Sequence, residues 1–248
     1  MRKRKTITTR NIKFTWDYLT GRSYVKGKGR RKKENVSPEA IKKYNAKQAE
    51  VKLCALIDTN FISMDWYLTF TFKEKVTFED ARHCMQNMIK RMQRLYKKNG
   101  ETLKYIYVVE GVNRVHFHML INNAFPITTE MIEALWSHGY VDMRVYHGKA
   151  EDATALASYL LKETKTENYE KVEVFKRRWY ASTNLEKPKE STRTLASNRW
   201  SNDIYVPDGY YLDKDSLIEG VNLEGYPYRF YKLIKLDTRR HRWKMSIT

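Results

Sequence analysis

Two histidines separated by one residue, His116-Phe117-His118, lie inside the apolar run 115–121. In an extended chain side chains alternate, so Val115, Phe117, Met119 and Ile121 share one face, and His116, His118 and Leu120 share the other. Two imidazoles projecting side by side are half of a divalent-metal site. Glu110 ends the preceding run, 103–110, on the face opposite to Leu103, Tyr105, Tyr107 and Val109. A tight antiparallel connection through Gly111 would bring its carboxylate beside the histidines, giving two nitrogens and one carboxylate around an ion with open positions.

A nucleophile to accompany such a site is sought in the spacing Tyr-x-x-Lys. On a helix it sets a phenol beside a cation that neutralises phosphate and favours the phenolate, whose ordinary pKa is about 10. The spacing occurs at Tyr44 with Lys47, Tyr146 with Lys149, Tyr159 with Lys162 and Tyr211 with Lys214, so it discriminates nothing by itself. Position favours Tyr159. It lies in a well-patterned helix, anchored by Leu156, Leu160 and Leu161, that follows the histidine strand by one helix and one strand. Tyr146 is the substitute, and Glu163 is a candidate to hold a ligand or water.

The elements that must position these residues can be read in order. Ser37-Pro38-Glu39 opens a helix to about Leu56 carrying Ile41, Tyr44, Val51 and Ala55 on one face. In residues 66–72, Trp66, Leu68, Phe70 and Phe72 alternate with Tyr and Thr, which predicts a strand. Thr77 with Asp80 caps a helix with the stripe Ala81, Met85, Met88, Met92 and Leu95, stopped at Asn99-Gly100. Strands over 103–110 and 115–121, a short helix from Thr128 or Thr129 ending near His138-Gly139, a strand over 141–145 and a helix capped by Asp152 through about Thr164 complete a β-α-β-β-α-β-α order. Val172 and Val174, or residues 175–180, would supply a fifth strand. The expected class is α+β, a mostly antiparallel central sheet with packed helices.

The expected organisation is a basic N-terminal arm and helix (1–60), a central domain carrying the candidate site (61–185) and a C-terminal extension (186–248) in which 228–236 reads as strand or short helix. Residues 1–36 mix basic residues, glycines and aromatics, which suggests an arm or small appended element. Net charge is +18, and residues 1–52 carry 17 Lys and Arg against 4 Asp and Glu. Such a surplus points to a nucleic-acid partner. Cys54 and Cys84 read as reduced core thiols, not a disulfide or zinc framework. No apolar run approaches the length of a membrane span, so the expected setting is soluble and cytoplasmic.

In this order the motifs resemble the HUH endonuclease superfamily, and within it the single-tyrosine initiators of rolling-circle replication. Residues 68–72 are similar to its first motif, His116-Phe117-His118 to its metal motif and Tyr159-Leu160-Leu161-Lys162 to its tyrosine motif, while Glu110 matches the upstream acidic ligand of some members. The resemblance implies an RRM-like palm and a nickase dependent on Mn²⁺ or Mg²⁺. It implies a 5′-phosphotyrosine on Tyr159, and single-stranded or hairpin origin DNA as the substrate. No phosphate-binding Gly-x-x-x-x-Gly-Lys-Ser/Thr sequence and no second tyrosine a helical turn from Tyr159 occur. A separate host helicase and polymerase are therefore expected, and the two-tyrosine branch is disfavoured. A relaxase or tyrosine transposase of a mobile element shares the chemistry. A non-catalytic nucleic-acid-binding protein is the alternative of another class.

Overall fold

The computed structural model describes residues 1–19, 38–111, 114–163, 174–197, 203–221 and 227–236. The chain divides into two compact units, one formed by 1–55 with 188–248 and the other by 56–187. Each carries a five-stranded antiparallel sheet, so the class is α+β. Among the described residues no helix is long and apolar enough to cross a membrane.

The first unit corrects the expectation of an N-terminal arm. Residues 2–19 form β1 (Arg2–Thr8) and β2 (Ile12–Leu19), which combine with β8 (Lys189–Thr194), β9 (Tyr210–Val221) and β10 (Pro227–Lys235) in the order β8-β1-β2-β10-β9. Of the two readings of 228–236, strand is the one the fold adopts. Ile7, Ile12, Phe14, Phe230, Leu233 and Ile234 are buried. Part of the basic character is structural. Arg2 and Arg4 both close on the buried Asp17, at 3.0 Å and 2.6 Å, and Lys5 pairs with Glu190 at 2.9 Å.

The helix α1 (Pro38–Asn60) runs slightly beyond its expected end. Only the later half of its anticipated stripe is buried: Val51 and Ala55 are inside, whereas Ile41 and Tyr44 are exposed. At its end the Asn60 amide donates to the carbonyls of Leu56 and Glu186 and accepts from the Glu186 N–H. Residue 186 is thereby fixed within the second unit.

In the second unit, β3 (Asp65–Phe72), α2 (Phe78–Lys98), β4 (Tyr105–Glu110), β5 (His116–Ile121), α3 (Thr129–Glu133), β6 (Gly139–Tyr146) and α4 (Ala150–Glu163) follow the predicted order. The fifth strand is β7 (Tyr180–Ala181), at the far end of the expected 175–180 stretch; Val172 lies outside the described residues. The sheet order is β6-β3-β5-β4-β7. One face is the core: Leu68, Phe70, Phe72, Tyr107, Val109, Phe117 and Met119 pack with Ala81, Met85, Met88 and Met92 of α2. Tyr96, not Leu95, completes that stripe in full burial, its hydroxyl donating to the Asn122 carbonyl. Thr77 caps α2, as its hydroxyl accepts from the Asp80 N–H.

The opposite face of the sheet carries the site. Alternation sends Ile106, Val108 and Leu120 there, all fully buried, and α4 lies against β4 with Ala153, Ala157, Leu160 and Leu161 buried. Asp152 is not the cap residue of α4. It lies in the first turn and its carboxylate accepts from the Lys149 N–H at 3.0 Å, while the Lys149 carbonyl takes the first helical bond, from Ala153. This is the return half of a capping box.

Candidate active site

The pairing of three strands assembles the site. Glu110 stands opposite His116 across β4 and β5, and Thr71 and Thr69 of β3 stand opposite His116 and His118. The Glu110 to His116 connection depends on Gly111, whose φ is +106° and where a Cβ would fall 1.8 Å from the Arg114 carbonyl oxygen. Only glycine holds this turn without displacing backbone.

His118 is 6% exposed and is held from both sides. Its Nε2 meets a Glu110 carboxylate oxygen directly. Its Nδ1 lies 2.9 Å from the Tyr67 hydroxyl and 3.2 Å from Thr69 Oγ1. The Tyr67 ring is nearly parallel to the imidazole, with centroids 6.0 Å apart. His116 Nδ1 lies 3.1 Å from Thr71 Oγ1. Hydroxyls therefore hold Nδ1 of both histidines, which fixes ring orientation, and Nε2 of His118 faces the Glu110 carboxylate.

Burial holds the His116 pKa below the usual imidazole range, with His118 and Arg114 adding to the shift and Glu110 opposing it. A neutral imidazole is the state that ligates metal. Burial, with Tyr159 and Glu110 nearby, pushes the Tyr67 phenol well above its ordinary value. Tyr67 thus keeps its proton and serves as a neutral hydrogen-bonding group.

Tyr159 meets the edge of this arrangement. Its ring is T-shaped to His118, with centroids 5.6 Å apart, and the residue is 43% exposed. Of the other candidate tyrosines, Tyr44 and Tyr211 belong to the first unit, and Tyr146 is buried at the end of β6. Lys162 is exposed on α4, and its spacing of three residues sets it on the Tyr159 side of the helix. Glu163 ends α4.

Among the described residues no three His, Cys, Asp or Glu groups stand in a ready metal cage, and Glu110 closes directly on His118. The donor types nevertheless fit a divalent cation: two imidazoles oriented through Nδ1, and one carboxylate. The supporting roles of Tyr67, Thr69 and Thr71 are what sequence reasoning misses. The signal available is their alternation on the polar side of β3; what assigns them is the register opposite β5.

Residues 65–167 match the family model for the replication-associated protein ORF2 family. The match covers less than half of the chain and spans β3 to α4, including every site residue named above. It suggests a replication initiator. One solved structure, that of the hypothetical protein ORF119 from Sulfolobus islandicus rod-shaped virus 1, aligns at 16% identity and a TM-score of 0.37, over 48% of this chain and 96% of that chain; a likeness at this level carries no functional weight. No curated protein matches the sequence.

Proposed function

We propose that the protein is a replication initiator that nicks and rejoins single-stranded origin DNA, with Tyr159 as nucleophile. The observation that carries this reading is the approach of an exposed phenol to within 5.6 Å, centroid to centroid, of His118, in a sheet segment that matches a replication-associated family.

In this reading Tyr159 gives its proton to water and its oxygen attacks the scissile phosphorus. The Tyr–O–P bond forms and the P–O3′ bond breaks. The departing 3′ oxygen takes a proton from water, leaving a 5′-phosphotyrosine and a free 3′-OH that primes synthesis. Attack by a 3′-OH on the phosphotyrosine reverses the step and rejoins the strand. Lys162 supplies positive charge on the Tyr159 side of α4, where the phosphate gathers negative charge. His116, His118 and Glu110 would hold Mn²⁺ or Mg²⁺, which supplies Lewis-acid polarisation of the phosphate. Thr71, Thr69 and Tyr67 hold the imidazoles in orientation. Origin DNA, single-stranded or hairpin, is the partner, with a host helicase and polymerase acting after the nick.

The test is incubation of the full chain with labelled single-stranded DNA spanning its replicon's origin and Mn²⁺, followed by denaturing electrophoresis. A protein-linked label that disappears with chelator and in His116→Ala is expected. Label transfer that survives both changes would overturn the metal assignment, and intact DNA in the presence of Mn²⁺ would overturn the nickase.

A further inference from the structure

The site face does not stop at β3. It continues onto β6, the edge strand of the second sheet. The register sets Tyr140 opposite Thr71, Thr71 opposite His116 and His116 opposite Glu110. Four side chains thus form one row across four strands, all on one face. Tyr140 is 67% exposed, yet its strand is well seated, because the alternate residues Val141 and Met143 pack against the core. The ring therefore adds little burial to the fold while lying on a firm platform.

Further along the same face of β6, Arg144 and Asp142 pair at 2.9 Å, with side chains 73% and 56% exposed. An exposed pair of this kind is worth little and its guanidinium is readily given up to a phosphate.

We propose that Tyr140 is a stacking platform for a base of single-stranded DNA, with Arg144 holding a phosphate of the same strand, so that the DNA is led across β6 and β3 toward His116. The proposal rests on the reading of this sheet as the nicking site, and it adds the path of the substrate. An aromatic face on an open sheet accepts any base, because every base has a π-face. In a duplex the bases are already stacked on one another, so an exposed ring of this kind selects the single strand.

Binding without chemistry separates this proposal from the nickase reading. The probe is a fluorescein-labelled oligothymidine of roughly 20 nucleotides, longer than the usual single-strand site. Anisotropy is read with the full chain in EDTA at about 200 mM salt, where backbone attraction is weakened. Tyr140→Ala should bind about 5- to 100-fold more weakly, the range for loss of one stacked base, while Tyr140→Trp should bind close to wild type. Tyr140→Ala binding within twofold of wild type would overturn the proposal. So would a Tyr140→Trp variant as weak as the alanine variant, since the ring would then not be the source. A β6 edge used instead to pair with another protein chain would give the first of these results together with concentration-dependent association. The electrophoretic adduct does not enter these measurements, so either reading can fail alone.

Discussion

The Tyr67 hydroxyl lies 2.9 Å from His118 Nδ1 while the Tyr67 ring stacks alongside the same imidazole. Ring stacking and a hydroxyl contact from one residue thus both bear on the orientation of His118, with Thr69 Oγ1 reaching the same nitrogen at 3.2 Å. Tyr67→Phe keeps the ring and removes the hydroxyl. Mn²⁺ affinity, read by titration calorimetry, should fall by about 10-fold, the lower end for loss of an outer-shell partner. Folding stability in urea should fall by only about 1 kcal/mol, because Thr69 still reaches Nδ1. Unchanged Mn²⁺ affinity would show that His118 needs no such support.

Glu110 faces His116 in the register and touches His118 through its carboxylate. Glu110→Gln retains a hydrogen-bonding group of the same shape and removes the negative charge. It should lower Mn²⁺ affinity by more than Tyr67→Phe does and leave the thermal midpoint of the metal-free protein within a few degrees, about 1 kcal/mol. Equal Mn²⁺ binding by Glu110→Gln and wild type would remove Glu110 from the ligand set.

Gly111 tests whether the turn positions the site. With φ at +106° and the Arg114 carbonyl oxygen only 1.8 Å from where a Cβ would sit, Gly111→Ala must move the backbone between Glu110 and His116. A destabilisation of roughly 1–3 kcal/mol is expected in urea unfolding. Mn²⁺ affinity should fall with it, because the Glu110 to His116 register is what the turn maintains. Full retention of both would show that the turn relaxes without consequence.

Asp17 carries a pH dependence in the first unit. Burial pushes its pKa up, but hydrogen bonds and charge from Arg4 and Arg2 outweigh that, and the net shift is downward. The folded pKa is thus below the unfolded one, so the associated stability is present above the unfolded value of about 3.9 and is lost as pH falls through the folded value. Stability measured by urea denaturation, read through the fluorescence of Trp16 among the other tryptophans, should decline on acidification below pH of about 4. Asp17→Asn should flatten that decline and cost about 3–5 kcal/mol at neutral pH, because it strands buried cationic charge.

The second unit is largely legible in the sequence because its elements are consecutive and strongly periodic. The alternation of Trp66, Leu68, Phe70 and Phe72, the Thr77 cap and the methionine stripe of α2 each follow from local rules. His116 and His118 are readable for the same reason. The first unit is hidden because β1 and β2 pair with strands some two hundred residues away, between Lys189 and Lys235. Arg2 and Arg4 also disguise a strand as a basic arm, since their burial requires Asp17. In β8, Lys189–Thr194 is exposed throughout and has no apolar alternation to detect. At the site, chain order ranks Tyr159 above Tyr44, Tyr146 and Tyr211, but its ring contact with His118 comes from the packing of α4 on β4.

The strand character of the N-terminal residues also decides how their charge is to be probed. Removing 1–19 would take two strands from a five-stranded sheet, so a loss of DNA binding would report unfolding. Charge reversal at exposed positions, such as Lys189 on the edge strand β8, separates electrostatics from folding.

The most direct measurement of the central claim is peptide mapping of the covalent adduct formed on cleaved single-stranded origin DNA in the presence of Mn²⁺. The adduct is expected on Tyr159, with no adduct in Tyr159→Phe and undiminished adduct in Tyr146→Phe. Phosphotyrosine on any other residue, or full adduct in Tyr159→Phe, would contradict the account.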